Sequence, residues 1–387
     1  MAGSRFAAAA AAVFVVGAAV GAPADFTTIR NLPAGLSLGG PTALAVGPSG
    51  SPVVGVIESV SGDLRLSWYL CDDETCSSGR LAPFATVPLA FTRFSVAVGT
   101  DGRAVAAYAF AGSLFVARCN SAACDAPTVS APIDANVATA GIDVTMWADN
   151  SPVVSYMQTN GRVRLAICGD PRCSAPLSQT LFDTGETNQA YFHTAVALTA
   201  GDLPRVALAS RTMGYQLALC KDAECFQSPS VVALPNIQSG EARGIAMALS
   251  SDGTATVAHS SDGLPSFGSL SIGIYQCPNP DCTGTIASHR FLVIDPFGWP
   301  AGLPALVVGA DSVPLAAFGS GQYGGMHVLH GRPRDFVNSA ASVTMLDAQS
   351  RPSSMVAMAL GPQGRPVLAY LGPEGVRVAS CNTRTCQ

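Results

Sequence analysis

An all-β chain of seven repeated four-stranded units is what the sequence predicts, on three observations. All twelve cysteines fall in C-x4-C pairs: Cys71/Cys76, Cys119/Cys124, Cys168/Cys173, Cys220/Cys225, Cys277/Cys282 and Cys381/Cys386. Their first members follow one another at 48, 49, 52, 57 and 104 residues, so the last interval spans two repeats, one without its pair. Upstream of each pair, two short apolar runs flank a Gly- or Asp-rich turn, and helical periodicity is nearly absent. Four short strands per unit of about 50 residues, seven times over, describe a seven-bladed β-propeller of antiparallel blades.

The chain opens with Arg5, an apolar run from Phe6 to Gly21, and Ala22-Pro23-Ala24. That order is expected of a signal peptide over 1–24, and the run is short for a membrane span. The remainder, 25–387, is expected to be one propeller with no later span. Its repeats lie at about 41–90, 91–138, 139–190, 191–241, 242–300, 301–351 and 352–387, the last joined by 25–33. Within a repeat, strand one ends at a turn such as Gly50-Ser51, Asp101-Gly102 or Gln363-Gly364. Strand two follows, strand three leads into the first cysteine, and a Thr/Val-rich strand four comes after the second. The last repeat has no room for a fourth strand, whereas Phe26–Arg30 has that character. It is expected to complete blade 7 and close the ring, the alternative being an open solenoid.

Two columns of small residues support the ring. Gly55, Ala107, Ser155, Ala207, Ala258, Ala317 and Ala369 recur in strand two. Ala43, Ser95, Asp143, Ala195, Ala246, Ala305 and Ala357 recur in strand one, where the ring tapers. Asp143 is the only acid of that column and points to a wet channel. Charged residues make up 12% of the chain, as expected of strands buried on both faces.

Cysteines flanking a four-residue loop that closes a hairpin between strands three and four lie opposite each other, within disulfide range, and a secreted chain oxidises them. Metal binding is disfavoured because each pair belongs to a different blade, whereas structural zinc needs four converging ligands. His330 and Asp335 are read as standing where the missing pair would be, by simple loss of the bond. Neither metal nor cofactor is expected. A net charge of −5, with Lys221 the only lysine, disfavours nucleic acid.

Ligands of a propeller usually meet the loops between strands two and three and between blades. At the end of strand two, Tyr108, Tyr156, His259, Phe318 and Tyr370 share a column with Val56 and Leu208. The column is either a cap on the inter-blade core or a set of stacking platforms for sugar or peptide. The blade-to-blade segments add Arg93, Tyr191, His193, Glu241, Arg243, Trp299 and Arg351 as candidates.

The stretches Ala43-Leu44-Ala45-Val46-Gly47-Pro48-Ser49-Gly50 and Val98-Gly99-Thr100-Asp101-Gly102 resemble the first-hairpin pattern of the sialidase-like propellers. The resemblance implies the fold. It does not extend to the catalytic motifs. Arg93 and Arg243 fall at places roughly comparable to the family's carboxylate-binding arginines, yet neither precedes Ile-Pro. The Ser-x-Asp-x-Gly-x-x-Trp box has only an imperfect echo in Ser250–Thr254, and sialidases have six blades. No catalytic residue is assigned, and an enzyme is the less favoured outcome. The expectation is a secreted monomeric propeller (periplasmic in a bacterium) that binds a glycan or an extracellular protein. A glycan-processing enzyme and a structural wall protein are the alternatives. The enzyme reading requires Arg93, Arg243 and Arg351 to converge near Glu241, Tyr191 or Asp143.

Overall fold

Each repeat begins with a reversal that sets the register of everything after it. The residue closing the turn between strands one and two adopts a left-handed φ in all seven units: Gly50 (85°), Gly102 (73°), Asn150 (68°), Asp202 (58°), Gly253 (84°), Ser312 (59°) and Gly364 (70°). Its N–H donates back three residues, as Gly50 to Gly47 at 2.9 Å and Gly364 to Gly361 at 2.8 Å. Gly, Asn and Asp tolerate this backbone best, so the turn chemistry was readable in six repeats. Ser312 bears a steric strain that the other repeats largely avoid.

The computed structural model of the protein describes residues 27–33, 43–88, 93–188, 192–235, 242–262, 270–293, 304–319, 325–331, 342–350 and 355–386. These form seven antiparallel sheets, each in simple up-and-down order. Blade 3 is representative, with strands Asp143–Met146, Pro152–Met157, Arg162–Cys168 and Pro176–Asp183. Blade 2 departs from the plain pattern. Its outer strand is split into Pro127–Val129 and Asp134–Ala135, both paired with Ser113–Cys119.

Closure is by the N-terminal strand. Thr27–Asn31 pairs antiparallel with Gly375–Cys381 from Thr27↔Cys381 to Asn31↔Arg377, and so becomes the fourth strand of blade 7. The first and last parts of the described chain are thereby stitched into one sheet, which removes an open edge.

The two small columns turn out to be direct cross-strand partners. Ala43 faces Gly55, Ser95 faces Ala107, Asp143 faces Ser155, Ala195 faces Ala207, and the match continues through Ala357 and Ala369. Small side chains here let the next blade approach. A Cβ on Gly55 would lie 2.3 Å from the ring of Phe94 in blade 2, so only glycine fits. The core is accordingly not one body but a set of seams between neighbouring blades. One joins Trp68, Phe84, Phe94 and Tyr108 from blades 1 and 2, and another joins Leu217, Tyr215, Val257 and Tyr275 from blades 4 and 5.

All six cysteine pairs are bonded as the spacing predicts: Cys71–Cys76, Cys119–Cys124, Cys168–Cys173, Cys220–Cys225, Cys277–Cys282 and Cys381–Cys386. Their Cα–Cα distances run from 4.6 to 5.0 Å. Their placement corrects the expected hairpin, in which the two cysteines face each other across strands three and four. In the ladder Cys71 pairs with Gly79, Cys119 with Pro127 and Cys168 with Pro176, three residues past the second cysteine each time. The second cysteines, Cys76, Cys124, Cys173, Cys225, Cys282 and Cys386, lie outside the strands, within the connecting loop. Each closes a turn of its own. The N–H of Cys173 donates to the Asp170 carbonyl (3.0 Å), that of Cys225 to Asp222 (3.2 Å) and that of Cys282 to Asn279 (3.0 Å).

The residue two after the first cysteine builds that loop. Asp73 accepts from the N–H groups of Thr75 (2.8 Å) and Ser77 (3.2 Å), and Asp170 from those of Arg172 (2.7 Å) and Ser174 (3.1 Å). Hydrogen bonds from Ser77 and Thr75 hold the Asp73 carboxyl well below the usual carboxylate range. The turn leaves the second cysteine of every pair left-handed: φ is 55° at Cys76, 51° at Cys124, 54° at Cys173 and Cys225, 51° at Cys282 and 56° at Cys386. A side chain resists that conformation, and the loop hydrogen bonds and the sulfur bridge hold it there.

Register revises one more reading. The first cysteine faces the opening residue of strand two. Val367 pairs with Ser380, so Pro366 lies opposite Cys381, and the N–H of Cys220 donates to the Pro204 carbonyl. In blade 6 that position belongs to Gly331, whose N–H donates to the Pro314 carbonyl at 3.2 Å. His330 is one residue earlier and pairs with Leu315. His330 therefore does not replace a cysteine, and Asp335 lies outside the described residues.

Candidate functional site

Strand one runs from the loop face of the ring to the face that carries the turns and disulfides, so the two faces are chemically distinct. The disulfide bridges staple one end. At the other, the first residues of all seven inner strands surround a cavity of about 250 Å3 at the mouth of the central channel. Blades 5, 6, 7 and 1 contribute aliphatic groups there, among them Ile245, Met247, Leu306, Val356 and Leu44. The polar groups Arg93, Ser95, Asp143, His193 and Thr194 all come from blades 2, 3 and 4. The mouth is thus apolar on one wall and hydrogen-bonding on the other.

The polar wall is held by bonds between blades. Nη1 of Arg93 lies 3.0 Å from Nδ1 of His193, and the backbone N–H of Arg93 donates to the Thr139 carbonyl at 3.3 Å. A guanidinium only donates, so Nδ1 accepts and the neutral imidazole carries its proton on Nε2. Burial pulls the Arg93 guanidinium down to about 10. Asp143 joins three blades. It accepts from the Ser95 hydroxyl (2.6 Å) in blade 2, from its neighbour Val144 N–H (3.0 Å), and from Val196 N–H (2.8 Å) in blade 4. Burial raises its carboxyl, and those three donors pull against the rise. The lone acid of the small column is therefore a tie between blades, with Arg93 and His193 beside it.

The aromatic column lies elsewhere. Tyr108, Tyr156, His259, Phe318 and Tyr370 are buried, none more than 5% exposed. This corrects their reading as stacking platforms, since a platform must meet its ligand. The His259 ring stacks on Tyr275 at 4.8 Å and meets Tyr215 of blade 4 at 4.1 Å. It lies over Gly273, where a Cβ would clash with its Nε2 at 1.9 Å. Burial pushes the Tyr108 hydroxyl up to about 12. Trp299, Tyr191, Arg351 and Glu241 lie outside the described residues, as does the side chain of Arg243. Among the described residues, Arg93 is the candidate arginine that lies at the mouth.

Two of the tyrosines, each with an arginine on the next strand, form a clamp across a seam. Tyr156 and Arg164 are cross-strand partners in blade 3, and both donate to the carboxylate of Asp134 from blade 2. Tyr370 and Arg377 are partners in blade 7, and both donate to Asp347 of blade 6, at 2.9 and 2.7 Å. Arg377 also donates to Asn31 of the closing strand at 2.8 Å and to Gln349 at 3.3 Å. One guanidinium thus joins blade 6, blade 7 and the N-terminal strand. The sequence singled out the tyrosines but not their arginines or the acid, which comes from the preceding blade 30 residues before the arginine in both seams. Asp347→Ala leaves a buried arginine and a buried phenol without their acceptor. The expected loss is about 3–5 kcal/mol, read as a fall in the denaturation midpoint relative to wild type.

The chain matches no protein-family model and no curated protein sequence. Its fold is similar to that of the BP39L lectin from Burkholderia pseudomallei, with a TM-score of 0.57 and 14% identity over 89% of this chain and 96% of the lectin. The polysaccharide lyase Uly1 matches with a TM-score of 0.55 and 9% identity over 89% of this chain and 90% of the lyase. The NanB sialidase from Streptococcus pneumoniae matches more loosely, with a TM-score of 0.46, 10% identity, and 88% and 68% of the two chains covered. The order of the seven sheets defines a seven-bladed β-propeller, and the likenesses to the lectin and the lyase agree with that fold.

Proposed function

We propose that this protein is a secreted carbohydrate-binding propeller whose ligand seat is the channel mouth. The observation that carries the reading is the two-sided cavity. Its polar wall presents Arg93, backed by the buried His193, and its opposite wall is aliphatic. A sugar ring has the same division, with hydroxyls around its edge and C–H groups on its faces. A cavity of about 250 Å3 has room for one such ring at the entrance. Arg93, held by the buried His193 behind it, donates to ring hydroxyls, and the half-buried Met247 and Ala357 meet the apolar face. The similarity in fold to the BP39L lectin supports the reading without supplying its ligand.

Secretion fits six disulfide bonds, because oxidising compartments preserve them. Among the described residues no helix is long and apolar enough to cross a membrane. The closed ring is proposed to act as a monomer.

A glycan array probed with the wild-type protein and with Arg93→Gln tests the site. Saturable binding to at least one glycan is expected, and the variant should bind it tenfold or more weakly, because a hydrogen bond from a charged donor is lost. Absence of any saturable glycan, or equal binding by the variant, contradicts the proposal.

A further inference from the structure

The seam between blades 6 and 7 lacks a group that the seam between blades 2 and 3 possesses. Leu315 pairs with His330 as Val105 pairs with Arg118, so the two side chains hold equivalent places on the disulfide face. In blade 2 the Arg118 guanidinium donates to the Asn150 carbonyl (2.7 Å), the Pro171 carbonyl (3.3 Å) and the Asp101 carboxylate. By register, Asp311, Gly364 and Arg384 stand at the places of Asp101, Asn150 and Pro171. Only the guanidinium is missing. The shorter imidazole leaves a cavity of about 130 Å3 lined by Asp311, His330, Gln363 and Arg384. Nε2 of His330 is buried and has no hydrogen-bond partner among the described residues.

Gln363 and Arg384 also line a wider cleft of about 480 Å3, completed by Arg365, Asn382 and Thr383. No carboxylate and no apolar side chain lines it. Arg384 donates from Nε to the Gln363 carbonyl at 3.3 Å, and neither Arg365 nor Arg384 makes a salt bridge among the described residues. Two exposed guanidiniums thus flank a donor-rich cleft in a chain whose net charge is −5. An excess of acid elsewhere makes this local excess of base selective for anions. The inner cavity offers the opposite balance, a carboxylate acceptor at Asp311 and an imidazole nitrogen at His330. A hydroxyl satisfies both, since it donates and accepts.

We infer that the disulfide face of blade 7 is a second ligand site, for a sugar bearing an acidic group. Its oxyanion, carboxylate or sulfate, sits between Arg365 and Arg384, and one of its hydroxyls enters the seam between Asp311 and His330. The site is independent of the channel mouth, which opens on the other face.

Calorimetric titration with glucuronic acid, glucose 6-sulfate, glucose and inorganic sulfate tests this. At least one acidic sugar should bind saturably, and tenfold or more tightly than glucose or inorganic sulfate. The Arg365→Gln/Arg384→Gln variant should weaken that binding tenfold or more and His330→Phe several-fold, whereas Arg93→Gln should leave it unchanged. Both arginines are exposed, so the double variant should keep the wild-type melting temperature, and Arg365→Gln alone serves if it does not. The inference is overturned if neither acidic sugar binds, if the arginine variants bind as well as wild type, or if inorganic sulfate binds as tightly as glucose 6-sulfate. Loss through Arg93→Gln alone would also overturn it, by assigning the binding to the mouth.

Discussion

A chain that begins at residue 34, without the closing strand, is expected to lose about 5 kcal/mol or more of stability and to aggregate on warming. The strand contributes the burial of Leu32, the packing of Ile29, and the ladder from Thr27↔Cys381 to Asn31↔Arg377. Buried Leu32 is worth roughly 1.5–3 kcal/mol and half-buried Ile29 about half of that, and the lost bond from Arg377 to Asn31 adds about 1 kcal/mol. Removal also bares Gly375–Cys381 as an unpaired edge, a template for pairing with other chains. Chemical denaturation followed by CD, with light scattering, reads both effects. A truncated chain that unfolds at the wild-type midpoint without association would show that the ring does not depend on this strand.

Reduction of all six disulfides is expected to be costlier still. Closing a six-residue loop removes about 2 kcal/mol of unfolded-chain entropy in the loop-closure model, so six loops sum to the order of 10 kcal/mol. That equals the whole stability of many domains, and the reduced chain should unfold near physiological temperature. Each bridge also holds a cysteine in the left-handed region, which adds to the local loss. Replacing Cys71 and Cys76 together by serine should cost about one sixth of the total. A reduced protein that melts within a few degrees of the oxidised one contradicts this account.

Much of the architecture was legible because it repeats. Turns that demand left-handed residues, alanine columns that let blades touch, and paired cysteines each recur at one beat, so the blade count and the closing strand followed from alignment of the chain with itself. Position within a blade was less secure. The C-x4-C spacing predicts the bonds but not where they lie, because a turn at Cys173, Cys225 or Cys282 consumes the loop and moves the strand pairing past it. The missing pair in blade 6 removed the marker that fixes register, and counting from the neighbouring repeats put His330 one residue out, where the ladder puts Gly331. The split outer strand of blade 2 was hidden for a related reason, since outer strands are partly solvated and carry little pattern.

The site was legible only in part. The sequence offered Arg93 and His193 from the segments between blades, and Asp143 as the one acid in a column of small residues, and the structure brings these three to one cavity. The sequence could not tell a ring exposed to ligand from a ring buried against the next blade. Tyr156 and Tyr370 look identical to platforms in one dimension, yet each donates to an acid brought by the preceding blade, and burial pushes both hydroxyls up. The clamps at Asp134 and Asp347 lie at one spacing, 30 residues before the arginine each time, but among the described residues they occur in two of the seven seams and so form no column along the repeats.

The central claim is that a sugar ring sits at the channel mouth between the Arg93/His193 wall and the aliphatic wall. A crystal structure with the strongest array glycan bound tests it most directly. The account predicts density for a sugar within hydrogen-bonding distance of the Arg93 guanidinium, its C–H face against Met247 and Ala357. A glycan bound only elsewhere, with the mouth open to solvent, would contradict it.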